Sequence, residues 1–152
     1  MRTRVFGAVL LFLMVTMVSA PWLQSESDQG VPHFNDGPPG PGVKLEPILT
    51  KDQLWGDNAR YPFQTHAYEL AAKIAKVLYQ QPCYCYCDRN MGHKSLHSCF
   101  SGLHGAECGT CQKELSYAYL MNKQGKTARE IRAGIIKGDW KTIDLNTAAS
   151  IN

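Results

Sequence analysis

Apolar residues along this chain recur at helical intervals, and no stretch alternates convincingly over six residues or more. The clearest run is 66–81, where Ala67, Leu70, Ala71, Ile74 and Leu78 fall on one face of a helix and Lys73 and Lys76 lie off it. Thr65 is placed to cap this helix. Pro82 ends it, because proline has no N–H to donate and its ring crowds the preceding turn. A short second helix is predicted over 93–100, with Leu96 and Phe100 on one face, Cys99 at one edge and His93 and His97 at the other. A third covers 110–123 with the stripe Cys111, Leu115, Ala118 and Asn122, widened by Tyr119, and Gly125 breaks it. The fourth opens on the capping box Thr127 and Glu130, turns Ala128, Ile131 and Ile135 inward, and stops at Gly138. The pattern predicts an all-α fold: a small helical domain, 63–141, whose turns are rich in cysteine and histidine, followed by a tail, 142–152.

The segments before that domain read differently. Arg2 and Arg4 precede an uncharged apolar run, 5–18, which ends in Val18-Ser19-Ala20, the plan of an export signal. Pro21 follows the expected cut and opposes cleavage. The apolar stretch runs on to Leu23, close to the roughly 20 residues that span a bilayer. Residues 1–23 are therefore expected to be a signal peptide or an uncleaved anchor with its amino end inside. Either places the rest outside the cytoplasm, in the periplasm or at the cell surface. Residues 24–62 hold six prolines, with Gly30, Gly37, Gly40 and Gly42 among them, which predicts an irregular linker. One helical turn is expected within it over 50–55, where Thr50 and Gln53 stand at capping-box spacing.

With those segments set aside, about 90 of the 152 residues remain to fold, too few for a barrel or a doubly wound sheet. Hydrophobic residues at 44% and charged residues at 19% exclude a disordered polyelectrolyte. A net charge of +3 is too small to argue for a nucleic-acid partner. No Gly-x-Ser-x-Gly, phosphate loop or carboxylate pair at the cysteines is present, and no cysteine stands apart as a nucleophile.

What changes the picture is where the six cysteines lie: all of them, with three of the five histidines, fall between Cys83 and Cys111. Such density means a disulfide framework, a metal site or a redox centre. Cys83-x-Cys85-x-Cys87, if extended, directs three sulfurs to one side about 7 Å apart, with Tyr84 and Tyr86 on the other. Bonds among such close neighbours are strained, so each sulfur is expected to pair with a distant cysteine (Cys99, Cys108 or Cys111) or to share a soft ion. Cys108-x-x-Cys111 at a helix start suits a tetrahedral metal corner or a reactive dithiol. His93-x-x-x-His97 has the spacing at which two imidazoles on one helix grip one ion, but Lys94 stands where a metalloprotease carries glutamate. His104 lies four residues before Cys108, and the Cys-x-x-Cys is followed by Gln112 rather than by the histidine of haem attachment. His33 is expected to be solvated, and His66 structural or exposed.

Pro82-Cys83-Tyr84-Cys85-Tyr86-Cys87 resembles the motif of the bacterial PCYCGC-motif proteins. Gly92-His93-Lys94-Ser95-Leu96, Cys99-Phe100, the Cys108-x-x-Cys111 pair and the segment 125–131 resemble that family's pattern too, so the likeness covers roughly 61–140. The resemblance implies an exported or lipid-anchored protein and a fold, but no established activity. Here Tyr86 replaces the motif's glycine, which puts the wrap of the loop in question. The lipid-attachment cysteine of some members is absent. The Cys-x-x-Cys helix followed by Gly125-Lys126-Thr127 and Glu130-Ile131 is also similar to small thiol reductases of cytochrome c maturation, which have a single cysteine pair.

The leading expectation is an exported, non-enzymatic metal-binding domain for copper(I) or zinc. Its candidate ligands are Cys83, Cys85, Cys87, His93, His97, Cys99, His104, Cys108 and Cys111. Nine candidates exceed one tetrahedral site, so some are structural or more than one ion binds. The alternatives are a thiol–disulfide oxidoreductase using Cys108 and Cys111, and a disulfide-stapled interaction module without metal.

Overall fold

The computed structural model describes residues 30–152. The expected signal or anchor, 1–23, lies outside them. All regular structure among the described residues is helical, with no strand, as the periodicity predicts. The α-helices are α1 (Pro62–Lys73), α2 (Ala75–Leu78), α3 (Cys87–Asn90), α4 (Leu96–Phe100), α5 (His104–Glu107), α6 (Gly109–Lys123), α7 (Ala128–Lys137) and α8 (Leu145–Ala148). Short 3-10 turns occupy Lys51–Gln53, Gly56–Ala59 and Asp139–Thr142. No described helix is long and apolar enough to cross a membrane.

The first long helix starts earlier than Thr65. Pro62 takes the first helical position, where its missing N–H costs nothing, and the Gln64 side chain accepts from the Tyr61 N–H at 2.8 Å. The same helix breaks at Ile74, whose φ of −123° and ψ of 25° leave the helical region. The break divides the expected 66–81 helix into α1 and α2 while Ile74 and Leu78 both stay in the core. The 50–55 turn forms, with the Thr50 N–H donated to Gln53 Oε1 at 2.8 Å. The fourth helix matches its sequence signals at both ends. Thr127 and Glu130 make the capping box, and Gly138 closes α7 at φ 89°, the left-handed conformation that glycine adopts without penalty.

α6 is the centre of the domain: α1, α5, α7 and the Asp139–Thr142 turn all pack on it. Its stripe of Cys111, Leu115 and Ala118 is fully buried and meets Leu70, Ala71, Leu96, Phe100, Ile131 and Ile135 in one core. Tyr68 and Phe100 meet edge to face at 5.1 Å, and the Tyr68 hydroxyl donates to Gly102 O and accepts from Ala106 N. That bridge fixes α1 against the short helices α4 and α5, on which several site residues sit.

The irregular segment before α1 lies against the helices. Pro32 is fully buried, Asn35 Nδ2 donates to Tyr79 O at 2.8 Å, and Leu49 N donates to Phe100 O at 3.0 Å. His33 stays exposed but is held at both ends, its N–H on Asp88 Oδ2 and its Nδ1 2.6 Å from Lys94 O. The tail is tied down too: His66 Nε2 lies 2.6 Å from Ile151 O, and Ala148 of α8 is buried.

Candidate metal centre

The Cys83-x-Cys85-x-Cys87 stretch is not extended. Tyr86 N donates to Cys83 O at 3.0 Å, closing a tight turn, and the chain then enters α3 at Cys87. The turn needs a left-handed residue, and Tyr86 takes that conformation at φ 57°. The loop thus adopts, with tyrosine, the backbone that a glycine takes freely. Ring contacts offset part of the cost: Tyr86 stacks edge to face on Tyr84 at 5.8 Å, and the Arg89 guanidinium lies 4.2 Å from its ring centre. The consequence is convergence. Cys83 Sγ is 3.3 Å from Cys85 Sγ, about half the spacing that an extended strand would impose.

Other elements bring the remaining sulfurs to the same place. Cys108 is the N-cap of α6 and Cys111 lies in its first turn, as the Cys-x-x-Cys spacing predicts. Cys111 Sγ is 3.4 Å from Cys83 Sγ and 3.7 Å from Cys85 Sγ. Cys99 on α4 faces Cys87 Sγ at 3.5 Å and His93 Nδ1 at 3.4 Å. His104 opens α5 and sets Nε2 3.4 Å from Cys85 Sγ, with its ring 5.4 Å from that of His93. Cys83, Cys87, Cys99 and Cys111 are buried, while Cys85, Cys108, His93 and His104 are half-buried and form the open side.

All six cysteines are free thiols. Their closest separations, 3.3 to 3.7 Å, are far longer than a sulfur–sulfur bond. They lie near the edge of a tetrahedron of thiolates around zinc, about 3.8 Å. Two quartets have all their donor atoms within 4.8 Å of one another: Cys85, His104, Cys108 and Cys111, and Cys87, His93, Cys99 and His104. Cys83 joins Cys99 and Cys111 in one compact trio and Cys85 and Cys87 in another. The structure brings eight of the nine candidates together.

His97 is the ninth and it stands apart. α4 begins at Leu96, three residues later than predicted, so His93 and His97 never share a helix and do not grip one ion. His97 is buried, with Nδ1 3.3 Å from Ser101 Oγ and Nε2 without a hydrogen-bond partner. Burial lowers its pKa and keeps the ring neutral.

The electrostatics of the cluster favour a cation. Hydrogen bonds from Cys108, Cys111 and Cys83 drive the Cys85 thiol well below its ordinary value. Once that charge exists, Cys111 is pushed up by its contacts with Cys108, Cys83 and Cys85 and by burial. The His93 pKa is lowered by burial first and by His104 second, which holds its imidazole in the neutral form that ligates metals.

One polar neighbour of the cluster is not signalled by the cysteine and histidine pattern. Glu114, one turn beyond Cys111, is fully buried. Its Oε1 accepts from the Tyr84 N–H at 2.8 Å, and Oε2 makes no hydrogen bond. Burial outweighs what the Cys83 contact and the Tyr84 N–H give back, so its carboxyl is pushed up to about 8. Glu114 holds the backbone of the cysteine turn from beneath. Its three-residue step from Cys111 on a helix was the available signal, but the apolar stripe gave no reason to bury it.

The sequence profile of a family described as protein of unknown function with PCYCGC motif matches residues 55–142. No curated protein matches the chain. No solved structure matches it either.

Proposed function

The chain belongs to the family of proteins of unknown function with the PCYCGC motif, and from that premise we propose that it is an exported, non-enzymatic metal-binding protein. The family description names no activity, so the reading rests on the site. One observation carries it: eight thiol and imidazole donors from five separate segments converge, and no two sulfurs are bonded. Thiols and imidazoles packed within contact of one another present soft donors to a common point, and a soft cation compensates their negative charge together. Thiolates with neutral imidazoles suit copper(I) and zinc.

Export is supported by Arg2, Arg4 and the apolar run 5–18, which fit a signal or an anchor that leaves the domain in the periplasm or on the cell surface. The dithiol-exchange alternative has less behind it, because Cys108, the more exposed thiol of the pair at the helix start, is lowered by its Cys111 contact but pushed up overall by Cys85 and by burial.

The test is elemental analysis with free-thiol counting on protein purified from its own compartment. Stoichiometric copper or zinc, with loss of helical circular dichroism on chelation, is the expected result. Metal-free protein with oxidised cysteines and an unchanged spectrum would sink the reading.

A further inference from the structure

The two compact quartets share one residue, His104. A single imidazole nitrogen ligates a single ion, so His104 completes one quartet and leaves the other with three donors. Cys83 fills that vacancy in either case. It lies within 4.8 Å of Cys85 and Cys111 on one side and of Cys87 and Cys99 on the other. If His104 joins Cys85, Cys108 and Cys111, then Cys83 joins Cys87, His93 and Cys99. If His104 joins Cys87, His93 and Cys99, then Cys83 joins Cys85, Cys108 and Cys111. The eight donors thus divide into two sets of four, and in whichever set it joins Cys83 lies within 4.8 Å of two of the other three donors.

Charge points the same way. With one divalent ion, the six thiols either stay largely protonated or leave a large uncompensated negative charge in a mostly buried site. A second divalent ion halves that charge, and unpaired buried charge is the costly term. Geometry adds a third argument. The observed separations of 3.3 to 3.7 Å run continuously from Cys111 through Cys83 and Cys85 to His104, and from Cys87 through Cys99 to His93. Such a chain of donors describes two adjacent polyhedra better than one centre with spare ligands.

We propose that the cluster is a dinuclear site: two divalent ions of the zinc type bound side by side, with Cys83 and His104 as the ligands that lie between them. This rests on the metal-binding reading and goes beyond it in ion number, ion charge and the role of Cys83. Each ion enters as the divalent aqua cation, and the thiol protons it displaces leave to solvent, so no oxidant or reductant is involved.

The experiment is a titration of the full chain, reduced and metal-free, with zinc and in parallel with cobalt(II) as a spectroscopic probe. Expected are two equivalents bound, with tetrahedral cobalt bands that rise until the second equivalent. Cys83→Ser should bind one equivalent. Cys83 is buried, so His93→Asn on the open side serves as a second variant, with circular dichroism to confirm that it folds. It should also retain one ion, in the set built on Cys85, Cys108 and Cys111. A wild-type protein that stops at one equivalent, with Cys83→Ser and His93→Asn unchanged from it, overturns the pair and leaves the metal reading standing. No binding of either ion overturns both.

Discussion

Replacing Glu114 by glutamine tests whether the carboxyl beneath the cysteine turn is as enclosed as the structure shows. In the folded protein its pKa is about 8, against 4.5 for a free glutamate. The folded state thus holds this proton more tightly than the unfolded state does. Below pH 4.5 both states are protonated, and the group contributes nothing to pH dependence. As pH rises above 4.5 the unfolded chain ionises first, so the folded state loses stability. The loss grows by about 1.4 kcal/mol per pH unit until the folded carboxyl itself ionises near pH 8. At pH 7 the accumulated cost is about 3 kcal/mol, a large share of a small domain's stability. Glutamine keeps an oxygen for the Tyr84 N–H and cannot ionise. The assay is urea denaturation of metal-free, reduced wild-type and Glu114→Gln protein at steps from pH 4.5 to 7.5. Histidines and other carboxylates titrate in both proteins and cancel in the difference. Whatever offset the substitution introduces at low pH, the variant should gain on the wild type by about 1.4 kcal/mol per unit across this window. A difference that stays constant with pH would refute the reasoning: Glu114 would then ionise alike in folded and unfolded chains.

Three further outcomes follow from the same geometry. Gly105→Ala would place a methyl group 2.7 Å from the fully buried Phe100 ring and 2.9 Å from the Cys99 carbonyl, which is backbone and does not step aside. Overpacking should cost about 1 to 3 kcal/mol, more than alanine's helical preference returns, and urea denaturation showing equal or higher stability would contradict it. At position 86, Tyr86→Gly should be more stable than Tyr86→Ala by about 1 kcal/mol, because both lose the ring contacts and only glycine sheds the left-handed cost; thermal melts in which alanine equals or exceeds glycine would reject the strain. His97→Ala should leave the metal content measured by elemental analysis unchanged, whereas His104→Ala should lower it, and the reverse pattern would show that the ligand set has been drawn wrongly.

Much of this protein is legible from residue order because its signals are local. Helix periodicity, the Thr127–Glu130 box, the Gly138 stop and the Cys108–Cys111 helix start depend on interactions within a few residues, and each stands where the pattern puts it. The all-α class follows from the same period. Where structure and pattern differ, the local signal is overridden: Ile74 leaves the helix while staying in the core, and α4 starts late enough to part His97 from His93. The sequence also names the cysteines and histidines of the cluster, since their density is a matter of counting. It does not order them. Cys83 reaches Cys111 across 28 positions, and His104 reaches Cys85 across 19, because α6 sits at the centre of the core and sets its amino end against the cysteine turn. Which donors share a quartet, the buried carboxylate under the turn and the place of Cys83 between two sets are properties of distance in space. Periodicity and spacing along a chain constrain a residue's face and its neighbours within a turn or two, and beyond that only the packed core decides what meets.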